Sequence, residues 1–435
     1  MNVMKLTSAN SIRGRVVLPG DKSMSHRAAM IASIAEGTTR IENFSRAVDC
    51  QTTLDAIRSL GVEAVRNGTT VMIAGNGKRG LRAASSPIDC GNSGTTIRLI
   101  SGILAGQSFE SVLTGDESLA KRPMKRIIDP LRAGGAKIKA ENNHIPLHIF
   151  GGQTLYGREH KMEVASAQVK SCILLAGLYS DGTTTVIEPV ATRDHTERML
   201  RWFGVEVVEE EVCGGRSISL DGSAQLTSID LNIPADISSA AFFLAAASCL
   251  PNSQIAMPNV GINPTRNAVL EVLLQFGSDI SIENERIVCN EPVADLIVRS
   301  RQITGAATAP NILRGNIIAN LIDEIPILAV LGTQLEGGLE IRDAAELRVK
   351  ESDRIASIVE NLRRMGAGVI EFPDGLRVSQ SQLHGALIDS FGDHRIAMAF
   401  AVAALFAEGE TEINGHECVD ISFPGFFETL AGVVV

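Results

Sequence analysis

The sequence predicts an α/β protein built from six copies of one unit, divided between two domains. Three observations carry this reading. An apolar helix that ends in Gly recurs six times, a second and more apolar helix lies between successive members of that series, and short alternating segments follow each. The first series ends at Gly61 (LDAIRSLG), Gly135, Gly204, Gly277, Gly366 and Gly432. Gly suits the residue just past a helix, which often needs positive φ. Five of the six run into a short strand such as VEAV, AKIKA, VEVVE or AGVIEF, followed by a turn and a second strand such as TTVMIAG or IPLHIFG.

The second series starts near Lys22, Ser93, Ser166, Asp236, Asp323 and Asp393, and each helix leads into a small-residue turn and a strand. Its members are the more apolar, so they are expected to be buried. The unit is therefore helix, strand, helix, strand, strand, about 72 residues long. The count fails to close at Val435, where the sixth Gly-ended helix has no strands after it, while strand-like sequence lies unclaimed at Met4–Leu18. The first ~20 residues are thus expected to complete the last repeat. Three repeats over residues 21–234 then form one domain, and residues 1–20 with 235–435 form the other. The chain crosses near Pro19–Asp21 and Pro234–Asp236, a two-stranded hinge of the kind that frames a ligand cleft.

Composition narrows the function. The chain is 45% apolar and 21% charged, which excludes global disorder. The longest apolar runs, Ala240–Leu250 and Ile396–Ala407, fall short of the ~20 residues a membrane span needs. Met1–Ser11 has no apolar core, so no secretory signal is expected. The seven cysteines form no CxxC pair, which fits reduced thiols and a cytoplasmic protein. A net charge of −10 and 4% aromatic content argue against nucleic acid as a partner. No His or Cys spacing suits a metal, and no cofactor is expected.

The second-series helices open with polar segments: DKSMSHR, GNSGTTIR, SAQVKS, PADISS, LIDEIP and FGDHR. Helix N-termini attract anions through free N–H groups and the helix dipole. If three repeats surround a pseudo-threefold axis in each domain, these starts converge on the cleft. Ordinary capping accounts for Ser93, Ser166 and Asp236. It does not account for Lys22, Arg27 and Arg395, because cations are unfavourable in a first turn unless an anion offsets them. Ser23 and Arg27 are four apart on one helical face, with Lys22 at the mouth, a set suited to a phosphate or carboxylate. Gly94 permits close backbone approach to an anion, beside Ser93 and Thr95. Lys121 and Arg122 precede Pro123, and RVKESDR places Lys350 and Arg354 on one face, where Glu351 can pair with Arg354. Gly75–Gly80 matches GxGxxG, but no helix follows, so a dinucleotide site is not expected.

Eight motifs in order, PGDKSMSHR (19–27), GNSGTTIR (91–98), KRPM (121–124), SAQVKS (166–171), TRDHTE (192–197), LIDEIP (321–326), RVKESDR (348–354) and FGDHR (391–395), resemble the 5-enolpyruvylshikimate-3-phosphate (EPSP) synthase family over nearly the whole chain. The resemblance implies a two-domain inverted α/β barrel of six βαβαββ repeats, three per domain. It also implies transfer of the enolpyruvyl group of phosphoenolpyruvate to the 5-hydroxyl of shikimate 3-phosphate, with release of phosphate. Carried over, Lys22, Arg122 and the Gly94 backbone hold the phosphoenolpyruvate phosphate, and Arg354 and Arg395 its carboxylate. Ser23 and Arg27 take the shikimate carboxylate side; Ser166, Ala167 and Arg193 take the 3-phosphate, and Lys22 also borders this acceptor. Gln168 borders both substrates, and Asp323 and Lys350 contact the ring and its hydroxyls. Asp323 is the expected base, with Glu351 and Lys22 the candidates for the methylene proton. With Gly94 kept, sensitivity to glyphosate is implied.

Two departures from the family pattern stand out: Ile421 where many members carry Lys, and Leu99 where many carry Pro. UDP-N-acetylglucosamine enolpyruvyl transferases share the fold and donor, but commonly carry a Cys in the loop here spanning Gln107–Met124, which has none. A non-enzymatic anion-binding scaffold would not need Asp323 or Glu351 among the cations. A monomer is taken as the default assembly.

Overall fold

The computed structural model describes residues 3–213, 215–301, 303, 305 and 311–435. The chain divides into two compact units, one of Met1–Pro19, Pro234–Ile287 and Pro292–Val435, the other of Gly20–Ile233 with Val288–Glu291. Among the described residues the strands form six small sheets, and one plan runs through them. A strand, a buried helix and a second strand make a parallel pair, and a hairpin after the Gly-ended helix adds two antiparallel strands.

In the unit containing Gly20–Ile233 the parallel pairs are Leu231–Asn232 with Glu36–Glu42, Ile88–Asp89 with Ser111–Thr114, and Glu159–Lys161 with Thr183–Glu188. In the other unit they are Arg13–Arg15 with Gln254–Gly261, Ile312–Leu313 with Leu339–Ile341, and Leu387–Asp389 with Glu410–Asn414.

The N-terminal segment does more than complete the last repeat. Val3–Thr7 runs antiparallel to Glu410–Asn414 and makes the sixth sheet three-stranded, supplying the partner that the chain end at Val435 removes. Arg13–Arg15 instead pairs with the fourth sheet. Correspondingly, Leu231–Asn232, just before the helix Ile237–Cys249, pairs with the first sheet. The leading strands of repeats one and four are therefore exchanged. Positive φ is found at Gly61, Gly135, Gly204, Gly277 and Gly366, where a strand must follow, but not at Gly432, whose φ is −66° because no return strand is required. The strand expected over VEVVE begins only at Val208, since Val205 and Val207 turn into the core first.

The second-series helices are Lys22–Ser33, Gly94–Ala105, Ala167–Gly177, Ile237–Cys249, Ile325–Gly332 and His394–Phe406. Gly94–Ala105, Ile237–Cys249, Ile325–Gly332 and His394–Phe406 are apolar over most of their surface, and all six are buried along most of their length. Each unit has its own core. In one, Phe426 meets Phe242, Phe243 and Phe423 edge-on with centroids 5.5–5.9 Å apart, and Phe243 and Phe423 lie tilted at 6.3 Å. Burying each such ring contributes about 1.5–3 kcal/mol. No helix among the described residues is long and apolar enough to cross a membrane.

Candidate active site

In the unit holding Gly20–Ile233, three buried helices begin beside one another. Asp21 caps the first, accepting from the Met24 amide at 2.8 Å, so Lys22 is its first residue. The Lys22 ammonium lies 3.1 Å from Asp49 Oδ2 in a half-buried setting. Ser93 caps the second helix through the Thr96 amide, which puts the Gly94 backbone at its mouth. Ser166 caps the third through the Val169 amide, followed by Ala167 and Gln168. The second and third starts are tied together: Arg98 Nη1 donates to Gln168 Oε1 at 2.9 Å, and Gln168 Nε2 donates to Thr95 Oγ1 at 3.0 Å. A Cβ on Gly94 would stand 2.5 Å from Arg98 Nη1 and 3.3 Å from Arg122 Nη1, so both guanidinium groups border this helix start. Arg122 is aimed there by Asn92 Oδ1 at 2.6 Å and Ser118 Oγ at 3.2 Å.

Arg27 is buried. Its Nη1 donates to the Ser23 carbonyl at 2.8 Å, Nε to Thr196 Oγ1 at 2.7 Å and Nη2 to Ser171 Oγ at 3.0 Å. These bonds join the Lys22 helix to the Ser166 helix and to the helix His195–Trp202, which Arg193 precedes. His26 is wholly buried, its Nδ1 2.6 Å from Thr53 Oγ1. A hydroxyl chain runs on from Thr53 to Thr96 at 2.7 Å and to Ser93 at 2.7 Å. Burial, with the charges of Lys22 and Arg27, holds the His26 pKa well below the ordinary histidine value.

In the other unit the starts of the helices near Asp236, Asp323 and Asp393 also meet. Arg354 is the centre: Nε lies 2.7 Å from Asp393 Oδ2, Nη2 2.6 Å from Glu351 Oε2, and Nη1 3.3 Å from Asp323 Oδ1. Burial alone would lower the Arg354 pKa, but the charges of Asp393, Glu351 and Asp323 outweigh it and raise it above the ordinary arginine value. Arg395 donates to the Asp323 carbonyl at 2.8 Å and lies 3.6 Å from Asp323 Oδ2. The Asp323 carboxylate is thus flanked by two guanidinium groups. Glu324, buried beside it, accepts from Ser238 and lies 3.7 Å from Arg395.

Lys350 and Arg354 do not share a helical face, contrary to their spacing. Ala345–Val349 is a 3-10 turn, Lys350 is extended with ψ of −152°, and Asp353 caps a new helix whose first residue is Arg354. The Glu351–Arg354 pairing expected at i,i+3 is present nonetheless. Asp323 is not a cap; it sits in the turn between the helices Ile317–Leu321 and Ile325–Gly332. Gly75–Gly80 ends a strand in a turn, as the repeat requires. Leu99 is buried in its helix, and Ile421 closes a 3-10 turn.

Sequence reasoning did not single out Asp49, Asn92, Arg98, Glu324 or Asp393 as partners of the candidate site residues. For Arg98 a signal existed, since it lies one turn beyond Gly94 in the same motif.

The chain matches the family model of EPSP synthase (3-phosphoshikimate 1-carboxyvinyltransferase) over residues 6–430. The 3-phosphoshikimate 1-carboxyvinyltransferase of Brevibacillus brevis is 48% identical over 434 residues, 99% of this chain and 100% of that one. That of Salinibacter ruber is 49% identical over 438 residues, covering 100% of both chains. Among solved structures, an EPSP synthase from Acinetobacter baumannii superposes with a TM-score of 0.87 at 42% identity, covering 100% of this chain and 98% of that chain.

Proposed function

The chain belongs to the EPSP synthase family, and from that premise we propose how its residues divide the reaction. The enzyme is a 3-phosphoshikimate 1-carboxyvinyltransferase, a transferase of the shikimate pathway and so of aromatic amino acid biosynthesis. It transfers the enolpyruvyl group of phosphoenolpyruvate to the 5-hydroxyl of shikimate 3-phosphate. We assign the acceptor to the repeats of residues 21–234, and the carboxylate end of the donor to residues of 235–435.

Lys22, Arg122 and the Gly94 amide hold the donor phosphate; Arg354 and Arg395 hold its carboxylate. Ser23 and Arg27 take the acceptor carboxylate, and Ser166, the Ala167 backbone and Arg193 its 3-phosphate. Gln168 borders both substrates, while Lys350 and Asp323 reach the hydroxyls. Each phosphate carries about −1.5 to −2, so with two carboxylates the substrates bring roughly −5 to −6. Lys22, Arg27, Arg122 and Arg193 in one unit and Lys350, Arg354 and Arg395 in the other offer the cationic partners these groups need.

Chemistry follows from where the carboxylates stand. Asp323 takes the proton of the 5-hydroxyl as its oxygen bonds to C2 of the donor, while C3 gains a proton from Glu351 or Lys22. The tetrahedral intermediate then loses phosphate by cleavage of the C2–O bond, and C3 returns its proton, restoring the alkene. Guanidinium groups at the donor carboxylate offset its negative charge and fix its orientation. One observation carries this reading: the Asp323 carboxylate lies against both Arg354 and Arg395, a base adjoining an anion cradle. A single chain is the proposed working unit, to be checked by sedimentation. The cytoplasm is its proposed compartment, which the odd number of cysteines supports.

The deciding experiment is phosphate release from phosphoenolpyruvate and shikimate 3-phosphate together, against each alone. Release only with both is the expected result. Release with UDP-N-acetylglucosamine as acceptor instead, or with neither acceptor, would overturn the assignment.

A further inference from the structure

We propose that Lys170, Glu188 and Glu197 form a positioning cluster for Arg193 that sets the affinity for the acceptor's 3-phosphate, an inference that rests on the assignment of Arg193 to that phosphate. All three side chains are without exposed surface. Lys170 Nζ lies 3.0 Å from Glu188 Oε1, 2.7 Å from Glu197 Oε1 and 3.3 Å from the Thr192 carbonyl. Glu188 also accepts from Thr192 Oγ1 through its other oxygen, at 2.6 Å.

The placement of these contacts gives the cluster its role. Thr192 immediately precedes Arg193 and is held twice, at its carbonyl by Lys170 and at its hydroxyl by Glu188. Glu197 lies four residues beyond Arg193, in the first turn of the helix His195–Trp202. Arg193 is therefore anchored on both sides to one ammonium. That ammonium rises from the turn whose backbone begins at Ser166, since the Lys170 amide donates to the Ser166 carbonyl at 3.0 Å. The next residue repeats the link: Ser171 Oγ is 2.6 Å from Thr196 Oγ1, and Arg27 donates to both. The spacing between the helix start at Ser166 and the segment bearing Arg193 is thus fixed by buried charge.

A charged trio buried between one helix, the end of a strand and a second helix is costly. Val169–Gly177 is buried throughout, and apolar side chains at 170, 188 and 197 together would fill the same space without that cost. What an apolar residue cannot do is hold a carbonyl and two carboxylates from separate segments at fixed distances. A phosphate gripped between a helix start and a guanidinium depends on that geometry, because charge-assisted hydrogen bonds are directional.

The test uses the full chain with Lys170→Met and, as the gentler change that leaves the ion pairs in place, Thr192→Val. Arg193→Ala is the reference. Calorimetry measures binding of shikimate 3-phosphate and of shikimate, and steady-state kinetics measures KM for phosphoenolpyruvate. In both variants shikimate 3-phosphate binding should weaken about tenfold, with shikimate binding and the donor KM changed less than about twofold. Equal weakening for shikimate and its phosphate would overturn the proposal, as that marks general loosening. So would unchanged phosphate affinity in folded variants while Arg193→Ala weakens it. If Arg193→Ala leaves that affinity unchanged, the assignment of Arg193 falls, and the cluster's role with it. Should Lys170→Met fail to fold, Thr192→Val gives the reading alone.

Discussion

Asp393 grips Arg354 at 2.7 Å and, through its other carboxylate oxygen, accepts from the Arg395 amide at 2.9 Å. One buried side chain therefore aims one of the two guanidinium groups proposed for the donor carboxylate and caps the helix that carries the other. Asp393→Ala leaves Arg354 buried and removes the cap together. The change should destabilise the unit by about 3–5 kcal/mol and raise KM for phosphoenolpyruvate more than that for the acceptor. Urea unfolding and steady-state kinetics measure both, and a variant of native stability with an unchanged donor KM would refute the dual role.

Asp323 is flanked by Arg354 and Arg395 and stands in a turn rather than in a helix. Asp323→Ala should lower kcat by about 10²–10⁴, with far smaller changes in substrate affinity. Asp323→Asn, which keeps the shape and can still accept a hydrogen bond, should be nearly as slow. Turnover close to wild type in either variant removes Asp323 from the mechanism.

Gly94 borders two guanidinium groups. An added methyl would press on Arg98 Nη1, the flexible end of a side chain that also holds Gln168, so the protein should still fold. Gly94→Ala should then raise KM for phosphoenolpyruvate by about tenfold and leave shikimate 3-phosphate binding close to wild type. Glyphosate should inhibit the wild-type enzyme below the millimolar range and the variant more weakly. An unaltered donor KM would mean that the Gly94 backbone does not approach the donor.

His26 gives stability a pH dependence. Its folded pKa is depressed by burial and by Lys22 and Arg27. Above pH ~6.5, folded and unfolded chains both carry a neutral imidazole. Below it the unfolded chain takes up a proton that the folded chain refuses, so stability falls by about 1.4 kcal/mol per pH unit until the folded pKa is reached. Urea unfolding at pH 6.5 and pH 5.5 should show a shallower slope in His26→Gln than in the wild type, the remainder including His160, whose pKa burial lowers to about 4. Equal slopes in the two proteins would show that His26 takes up its proton in the folded state.

The helix starts were legible because Lys22 and Arg395 are cations in first turns, where the dipole disfavours them, with Arg27 one turn further along. The repeat was legible because Gly61 and its counterparts must turn the chain back into a strand. Contacts made across the fold left no such trace. Asp49 meets Lys22 from another helix, and Lys170, although within SAQVKS, meets Glu188 and Glu197 from distant segments. The spacing of Lys350 and Arg354 misled because it presumes a continuous helix, whereas Asp353 starts a new one between them. Strand exchange by Arg13–Arg15 was equally hidden, since pairing partners are chosen by tertiary packing rather than by the short segment itself.

Glu351 and Lys22 can be separated as handlers of the methylene proton. Glu351 hydrogen-bonds Arg354 at 2.6 Å, whereas the Lys22 ammonium lies 3.1 Å from Asp49; with Arg354 proposed for the donor carboxylate and Lys22 for its phosphate, Glu351 is the expected handler. Glu351→Gln should therefore suppress deuterium entry into the methylene group from heavy water in step with kcat, a fall of about 10²-fold or more. Lys22→Met should chiefly raise the donor KM and leave deuterium entry coupled to whatever turnover remains. If Glu351→Gln exchanges at the wild-type rate while Lys22→Met does not, the proton belongs to Lys22.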